Sequence, residues 1–579
     1  MKLLDAARGD GSADFVVRNA RVANVYTMEY ENADVAVVGN RIAGVGKDYR
    51  GSAVVDAEGM ILIPGMIDGH VHIESTMLTP AVFADCVAPR GTTTVMADPH
   101  EIANVLGMDG VEYMYSASRG LPVDVFLGAP SCVPASELET SFEDLEMDSV
   151  REMFERGWCQ HLGEVMNFPA VIAGDPSVWG KIQAAGSVPL TGHAPGLSGK
   201  ALCAYLISGV SSDHECVSPE EALEKLRRGM WLMMREGASS PVLARLLPLL
   251  RDKPELASRC MAVSDDVTAK YLMRVGHMDA KVRVMVREGI DPLAALRMVT
   301  LSPAEYFGLK DRGAVAPGLR ADMALVDGLE TFRIDRVWKN GRLTADKGKI
   351  CRTSACPADP KLFRRRESPY TPLTADQLEV KIPRGAGVRV IKLNEGSLVT
   401  NSIIERDFPA RDGTAVPDAG RDLSKIVVQE RHRDTRRFGV GFVSGLGLKS
   451  GAIASSVAHD AHNFVAAGMD DLSIVTALAF LGENGGGLAV TCGGDVLGSL
   501  ALPVAGLMST MDAESVARAL EDVERTARDM GVSVAHPFMA LSFLCLSVIP
   551  ELKITDRGYA DIGKGGIQPL FYFPGVESG

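Results

Sequence analysis

The sequence predicts an α/β fold: a (β/α)8 TIM-like barrel inserted in a small β-sandwich, with an additional C-terminal α/β domain. Three observations carry this expectation. Between residues 61 and 310, short apolar runs alternate with stretches of helical character. Segments of β-like texture flank that region on both sides. Polar residues collect at the C-terminal ends of the apolar runs, where a barrel of this kind builds its active site.

A chain of 579 residues is too long for one core and suggests roughly two to four domains. Residues 14–63 pass through "DFVVRNARVANVYT", "ADVAVVGNRIAGVG" and "AVVDAEGMILIPG", and the same texture returns at 314–350. The two segments are expected to form one β-sandwich, spanning 1–64 plus 312–352, around a barrel at 65–311. The barrel strands are expected in "ILIPGMIDGHVH", "TTTVMADPHE", "LPVDVFLGAP", "CQHLGEVMNF", "SVPLTGHAP", "GVSSDHE", "GMWLMMREG" and "RCMAVSDD". Between two of them, "SPEEALEKLRRG" opens on a Ser N-cap, carries Glu early and basic residues late, and stops at Gly, as a helix should. A Pro- and charge-rich linker at 353–372 leads to a third domain at 373–579.

With 46% hydrophobic and 23% charged residues, the composition is that of a soluble globular protein. The formal charge of -14 offers no field for nucleic acid or an anionic membrane surface, so neither is an expected partner. The one basic run, "RHRDTRR" at 431–437, reads as a solvated face. Ten cysteines without a CxxC pair read as thiols in a reducing compartment. The N-terminus lacks the apolar stretch of a signal peptide, and no later segment reaches the roughly 20 residues that span a bilayer, so a cytoplasmic location is expected.

The chemistry begins with "MIDGHVHIEST". Alternate side chains of a strand point the same way, so His70 and His72 converge about 7 Å apart along the backbone, and two imidazoles that close can share a metal ion. Singly, a strand-end histidine is more often solvated or hydrogen-bonded. Jointly, His70, His72 and Asp265 can hold one divalent ion, His193 and His214 a second, with one group bridging. Imidazole with carboxylate suits Zn, Mn or Fe. Paired ions generate a bridging hydroxide at neutral pH, which is hydrolase chemistry. His100, in "DPHE", reads as a neighbour of the ligands. Asp266, one residue past Asp265, falls on the opposite face of the strand by the period of two.

"VVDAEGMILIPGMIDGHVHIEST", "LSPAEYFGL" and "GLRADMALV" resemble the amidohydrolase superfamily. Within it, "DPHEIANVLG", "GEVMNFPAV", "TGHAPGLSGKAL", "GVSSDHECVS", "MMREGASS" and "VGHMDAKVR" resemble the bacterial adenine deaminases, and "GAIASSVAHDAHNFVAAG" and "LPVAGLMS" extend the likeness into the third domain. The resemblance implies hydrolytic deamination of adenine to hypoxanthine and ammonia, by attack of a metal-bridging hydroxide at C6, in purine catabolism. It implies two divalent ions per chain, Mn2+ or Fe2+ ahead of Zn2+, and a homodimer or higher homo-oligomer. Many relatives in the superfamily bridge their metals with a carboxylated lysine. "HLGEVMNF" has no lysine, and the resemblance assigns that strand's role to Glu164, as bridge or as proton carrier beside the metals.

For this reaction Asp265 would move the proton of the attacking water, and Glu164 or Glu101 would protonate ring N1. Substrate contacts are expected from Arg235, and from His277 with Asp279. In the third domain, Ser455, Ser456, His459, Asp460 and His462 fall within eight residues, either as a second metal or substrate-closing site or as a polar turn on the barrel mouth. Two other readings stand beside this one. The chain could be another deaminase or cyclic-amide hydrolase of the superfamily, against which the missing lysine argues for the latter. It could also be a catalytically silent barrel scaffold, against which the complete ligand set argues.

Overall fold

The computed structural model describes residues 1–237, 242–355, 371–394 and 397–574. Most of the expected linker, residues 356–370, lies outside them. Its first residues pack on the barrel, where the Ser354 amide and hydroxyl both donate to the Asp85 carboxylate at 2.7 Å.

Strands β1 (Ala13–Asn24), β2 (Glu29–Val38), β3 (Arg41–Gly46), β4 (Gly51–Asp56) and β5 (Ile61–Pro64) precede the barrel. The barrel follows as β6 (Met66–Val71), β7 (Thr92–Ala97), β8 (Asp124–Ala129), β9 (Cys159–Val165), β10 (Leu190–Gly192), β11 (Ser212–Asp213), β12 (Trp231–Arg235) and β13 (Cys260–Val263). After it come β14 (Met323–Val326), β15 (Ile334–Lys339), β16 (Arg342–Asp346) and β17 (Lys349–Ile350). Each of the eight expected barrel runs holds one barrel strand, and the first, "ILIPGMIDGHVH", also holds β5 of the flanking sheet.

The strands before and after the barrel form one nine-stranded sheet in the order β17-β16-β15-β14-β5-β1-β2-β3, with β4 on β1. The join is the antiparallel pairing of β5 with β14, Met323 opposite Pro64. The sheet folds over its own apolar face, so that Phe15 of β1 stacks on Trp338 of β15 at 6.1 Å with Val17, Val35 and Leu325 buried around them.

In the barrel, β6 to β10 pair in parallel in chain order, as do β11 to β13. The Ser211 amide donates to the Leu190 carbonyl at 3.2 Å and links the two groups. The ring closes where the Asp265 amide donates to the His70 carbonyl at 2.9 Å, a parallel bridge between Val71 and Asp265. Closure thus sets Asp265 directly beside the HxH strand. The interior is filled by Met96, Met233, Met261 and Val263, with Tyr306 and Phe307 of "LSPAEYFGL" packed against them. The helix of "SPEEALEKLRRG" runs Pro219–Arg227, with Ser218 accepting from the Glu221 amide as its N-cap.

The C-terminal domain is built on a second nine-stranded sheet, running from Gly387–Lys392 near one edge to Asp495–Ala501 at the other. Helix Asp471–Asn484 packs on it, capped by the Asp470 side chain and stopped by Gly485 in the left-handed region. Helix Ala513–Asp529 lies between this sheet and the barrel. Its Val516 and Leu520 share one core with Phe83 and Leu272 of the barrel. At the rim Arg274 pairs with Glu514 at 2.7 Å and Glu521 at 3.0 Å. Exposed pairs of this kind contribute little, so the apolar core does the holding.

The basic run at 431–437 is exposed at Arg433, Thr435, Arg436 and Arg437, as expected of a solvated face, but its side chains also have partners. Arg433 donates to the Ser141 carbonyl at 2.7 Å, Arg431 to the His462 carbonyl at 2.5 Å, and Arg437 lies 3.5 Å from Asp556. Its guanidinium groups cap carbonyls of a barrel loop and of the C-terminal domain itself, which charge counting along the chain could not show.

Gly163 of β9 illustrates how tightly the strands approach. A Cβ there would lie 2.4 Å from Asp98 Oδ2, the oxygen that accepts the Glu164 amide at 2.8 Å. Gly163→Ala is therefore expected to displace Asp98 and lower stability by about 1–3 kcal/mol, read as a shift of the urea midpoint at unchanged m-value.

Candidate active site

Tautomers orient the first ligands. His72 donates from Nδ1 to the Asp98 carbonyl at 3.1 Å, which leaves the Nε2 lone pair facing the barrel axis. There it meets Asp265 Oδ1 and Glu164 Oε1, both at 3.2 Å. His70 Nε2 has no hydrogen-bond partner and faces the same two oxygens at 3.4 and 3.7 Å. On the other side, Glu164 Oε2 lies 2.6 Å from His193 Nδ1 and 3.2 Å from His214 Nε2, and those two nitrogens are 3.2 Å apart. All six side chains are buried.

Ring nitrogens crowded onto a shared carboxylate, one of them unpartnered, suit divalent cations. His70, His72 and Asp265 form one set of three converging donors, His70, Glu164 and His214 another, and His193, His214 and Glu215 a third. Glu164 turns one oxygen to each side of the cluster. Burial disfavours charge on His70, and the neighbouring His214 adds to this, so its pKa falls. Burial also opposes charge on His72, but the bonds to Asp265 and Glu164 outweigh it and raise its pKa well above the usual range.

Glu215 is a site residue that the strand pattern missed. It lies 3.6 Å from His214 Nε2 and 3.8 Å from His193 Nδ1. Arg235 spans it and the ligand cluster, donating at 2.7 Å to Asp265 Oδ2 and at 3.0 Å to Glu215 Oε2. Arg235 is thus at the cavity, as expected, but committed to two carboxylates. The only cue to Glu215 was its place beside His214 in "SDHE", where β11 is too short for strand alternation to apply.

Beside His72 and His100, with which it forms a further set of converging donors, Glu101 sits in a cradle from both domains. Oε1 accepts from Ser75 Oγ at 2.7 Å and faces His459 Nε2 at 3.0 Å. His462 Nδ1 accepts the Ala458 amide at 3.1 Å, so its Nε2 carries the hydrogen, and this points at Glu101 Oε2 from 3.6 Å. His462 thus turns an N–H toward the carboxylate without reaching hydrogen-bond distance. Of the two readings of residues 455–462, the polar turn on the barrel mouth fits this geometry. His459 and Asp460 line the cavity. Ser455 does not; its hydroxyl donates to the Val457 carbonyl at 2.9 Å. His100 stands beside the ligands, its ring 4.7 Å from that of His72 and its Nε2 3.9 Å from Asp460 Oδ1.

Three expectations are corrected. Asp266 does not point away: β13 ends at Val263, Asp265 has a φ of +56°, and the turned backbone sends both aspartates into the cavity. Asp266 Oδ1 lies 2.5 Å from Ser75 Oγ and 3.5 Å from His459 Nε2. His277 is wholly buried near the N-terminal end of β7, 2.9 Å from Asp68 Oδ2 and 2.8 Å from Thr92 Oγ1. Asp279 accepts the His277 amide at 2.7 Å and pairs with Arg283 at 2.8 Å. Both brace the barrel at the end away from the cavity.

The remaining wall is apolar: Met166 from the barrel, Leu398, Phe543 and Leu546 from the C-terminal domain. The Phe543 ring lies 5.1 Å from that of His459, tilted by 32°. The cavity is small and partly open to solvent. It combines a buried ligand cluster, an anchored carboxylate and an apolar wall.

If Asp265 both ligates and carries protons, Asp265→Asn should keep much of the metal while turnover falls by about 100- to 10,000-fold. Asp266→Asn, which loosens Ser75 and His459, should cost about 10- to 100-fold. Metal analysis and turnover on the same preparations check both.

Residues 61–344 match the amidohydrolase family, and residues 397–565 match the adenine deaminase C-terminal domain. Along nearly the whole chain the sequence is 45% identical to an adenine deaminase of Desulfatibacillum aliphaticivorans, covering 98% of this chain and 99% of the relative. It is 44% identical to an adenine deaminase of Dehalococcoides mccartyi, with 98% of each covered, and 44% identical to adenine deaminase 2 of Carboxydothermus hydrogenoformans, with 98% and 99% covered. Barrel, ligand cluster and C-terminal domain all fall within these matches, and the chain belongs to the adenine deaminase family of amidohydrolases.

Proposed function

We propose that the chain hydrolyses adenine to hypoxanthine and ammonia in purine catabolism. The observation that carries this reading is the meeting, in one small cavity, of a histidine–carboxylate ligand cluster and an apolar wall. The family relationship supports it along the full chain.

His70, His72 and Asp265 would hold one divalent ion, His193 and His214 a second, with Glu164 between them; Mn2+ or Fe2+ is favoured and Zn2+ is also compatible with the donors. Such ions, when bound, make hydroxide available at neutral pH. The chain's own groups manage protons and orientation. As water oxygen bonds to C6, one of its protons goes to N1 and the other leaves with the exocyclic amine as ammonia, leaving hypoxanthine. Asp265, held by Arg235, takes the second proton and hands it to the amine. Both oxygens of Glu164 face imidazoles, which favours it as the bridge. Glu101, anchored from both domains, is left to serve N1. Phe543, Leu546, Leu398 and Met166 would receive the ring faces.

The same wall argues for the free base. With Leu398 and the Phe543–Leu546 segment over the barrel mouth, little space remains for a ribose on N9. No helix among the described residues is long and apolar enough to cross a membrane, in keeping with a cytoplasmic enzyme, for which we favour a homo-oligomer.

Purified protein should turn adenine into hypoxanthine in an ultraviolet assay and leave adenosine essentially untouched. Comparable rates on both would remove the steric argument. Fully active preparations should contain two divalent ions per chain by elemental analysis; one equivalent would contradict the paired site. Glu101→Gln should retain both ions and lose about 100- to 10,000-fold in kcat, as expected for a missing proton carrier.

A further inference from the structure

Lys553 stands apart from every other lysine in the C-terminal domain. It begins strand Lys553–Thr555, its side chain is fully buried, and its Nζ lies deep beneath the apolar wall of the cavity. Among the described residues no carboxylate lies within ion-pair distance. Its partners are two backbone carbonyls, Leu398 at 2.6 Å and Phe543 at 3.0 Å. Both carbonyls belong to residues whose side chains face the cavity.

Burying an ammonium without a counter-ion is costly, and burial pushes this lysine down to about 7. The nearest titratable group acting on it is the buried Cys545 thiol, itself held protonated by burial. An amine offers two N–H donors and an ammonium three, so either form can reach both carbonyls. A methionine or leucine would fill the same space without the penalty. Two donors aimed at two wall residues distant in sequence are therefore the informative feature.

The two segments it joins have different origins. Phe543 ends the helix Pro537–Phe543, and its carbonyl is one of those the last turn leaves without an intrahelical partner, a position that favours a cationic donor. The residue before it, Ser542, contacts His459 Nδ1 at 2.6 Å, and His459 in turn faces Glu101. Leu398 precedes a stretch stitched to residues 550–552 through Thr400, whose hydroxyl donates to the Leu552 carbonyl at 2.7 Å. Leu398 and Phe543 then pack on Cys132, Ala135 and Met166 of the barrel.

We propose that Lys553 is a positioning residue for the substrate: by tying Leu398 to Phe543 it holds the two apolar jaws at the separation that accepts a planar base. It touches neither the base nor the ligand cluster, so its contribution is to binding of the ring and not to the chemical step. This rests on adenine as the substrate. Adenine turnover by the wild-type metal-loaded enzyme tests that reading alone, before any variant is made.

The test compares wild type, Lys553→Met and Lys553→Gln, each metal-loaded, with adenine. Lys553→Met keeps the length and loses both donors. KM should rise by about tenfold or more with kcat within about twofold, the mark of a loss of binding common to ground and transition states. Lys553→Gln, with an amide donor, should recover part of the loss. In a Phe543→Ala background the Lys553→Met change should add less than it does in wild type, because one jaw it positions is gone. A lysine that only supports the fold would instead lower the melting temperature and leave KM unchanged. Unchanged KM in a folded Lys553→Met protein, or full additivity with Phe543→Ala, overturns the proposal. So does failure of both Lys553 variants to fold, which would make the residue a folding requirement.

Discussion

The Glu164 carboxylate is the point on which the barrel mouth depends. Five imidazoles, those of His70, His72, His100, His193 and His214, lie within 4 Å of its two oxygens, and all six groups are buried. Groups of this kind are costly to strip of water one at a time, and become tolerable only when each is bonded to another or to a cation. Their arrangement is consequently held from behind. Asp98 takes the Glu164 amide, Gly163 leaves room for Asp98 to do so, and the Asp98 carbonyl fixes the His72 tautomer. One strand-end aspartate thus sets both the backbone of the central carboxylate and the face that an opposing imidazole presents.

The second constraint is that neither large domain completes the cavity alone. The barrel supplies the ligand cluster and Glu101; the C-terminal domain supplies His459, Asp460 and most of the apolar wall. Glu101 belongs to the barrel but is oriented from both sides, by Ser75 on the HxH segment and by His459 and His462 across the junction. The domains are joined by a continuous apolar core, with exposed ion pairs at its margin and the buried His459–Glu101 pair at the cavity. Displacing one domain would disturb Glu101 and the apolar wall together, which gives a physical reason for the two to occur in one chain.

Much of this was legible in the sequence because it is local. Period-two and helical patterns located all eight barrel strands, and the nine-stranded sheet joins the two flanking β segments. The spacing of His70 and His72 announced a shared site, since alternation holds within a strand. The misreadings occur where locality ends. Asp266 was assigned to the far face by an alternation that stops three residues earlier, at Val263. His277 and Asp279 were polar residues after a barrel strand, but the chain there has already entered a helix and returned toward the opposite end, where Asp68 and Thr92 engage His277. The basic run at 431–437 is partly exposed, as it looked, but the carbonyls and carboxylates that its arginines meet lie tens to hundreds of residues away and could not be read from the run itself.

By itself, then, the sequence determined the order of strands and helices, the residue types that could bind metal, and the family, because these follow from spacing and from strings of neighbouring residues. Only the tertiary structure decided which of those polar residues meet. Closure of the ring set Asp265 beside His70, a turn at positive φ brought Asp266 into the cavity, and the docking of the C-terminal domain set His459 against Glu101 and Lys553 beneath Leu398 and Phe543. Those contacts join residues tens to hundreds of positions apart, and their geometry is fixed by close packing of apolar surfaces, which no local pattern encodes.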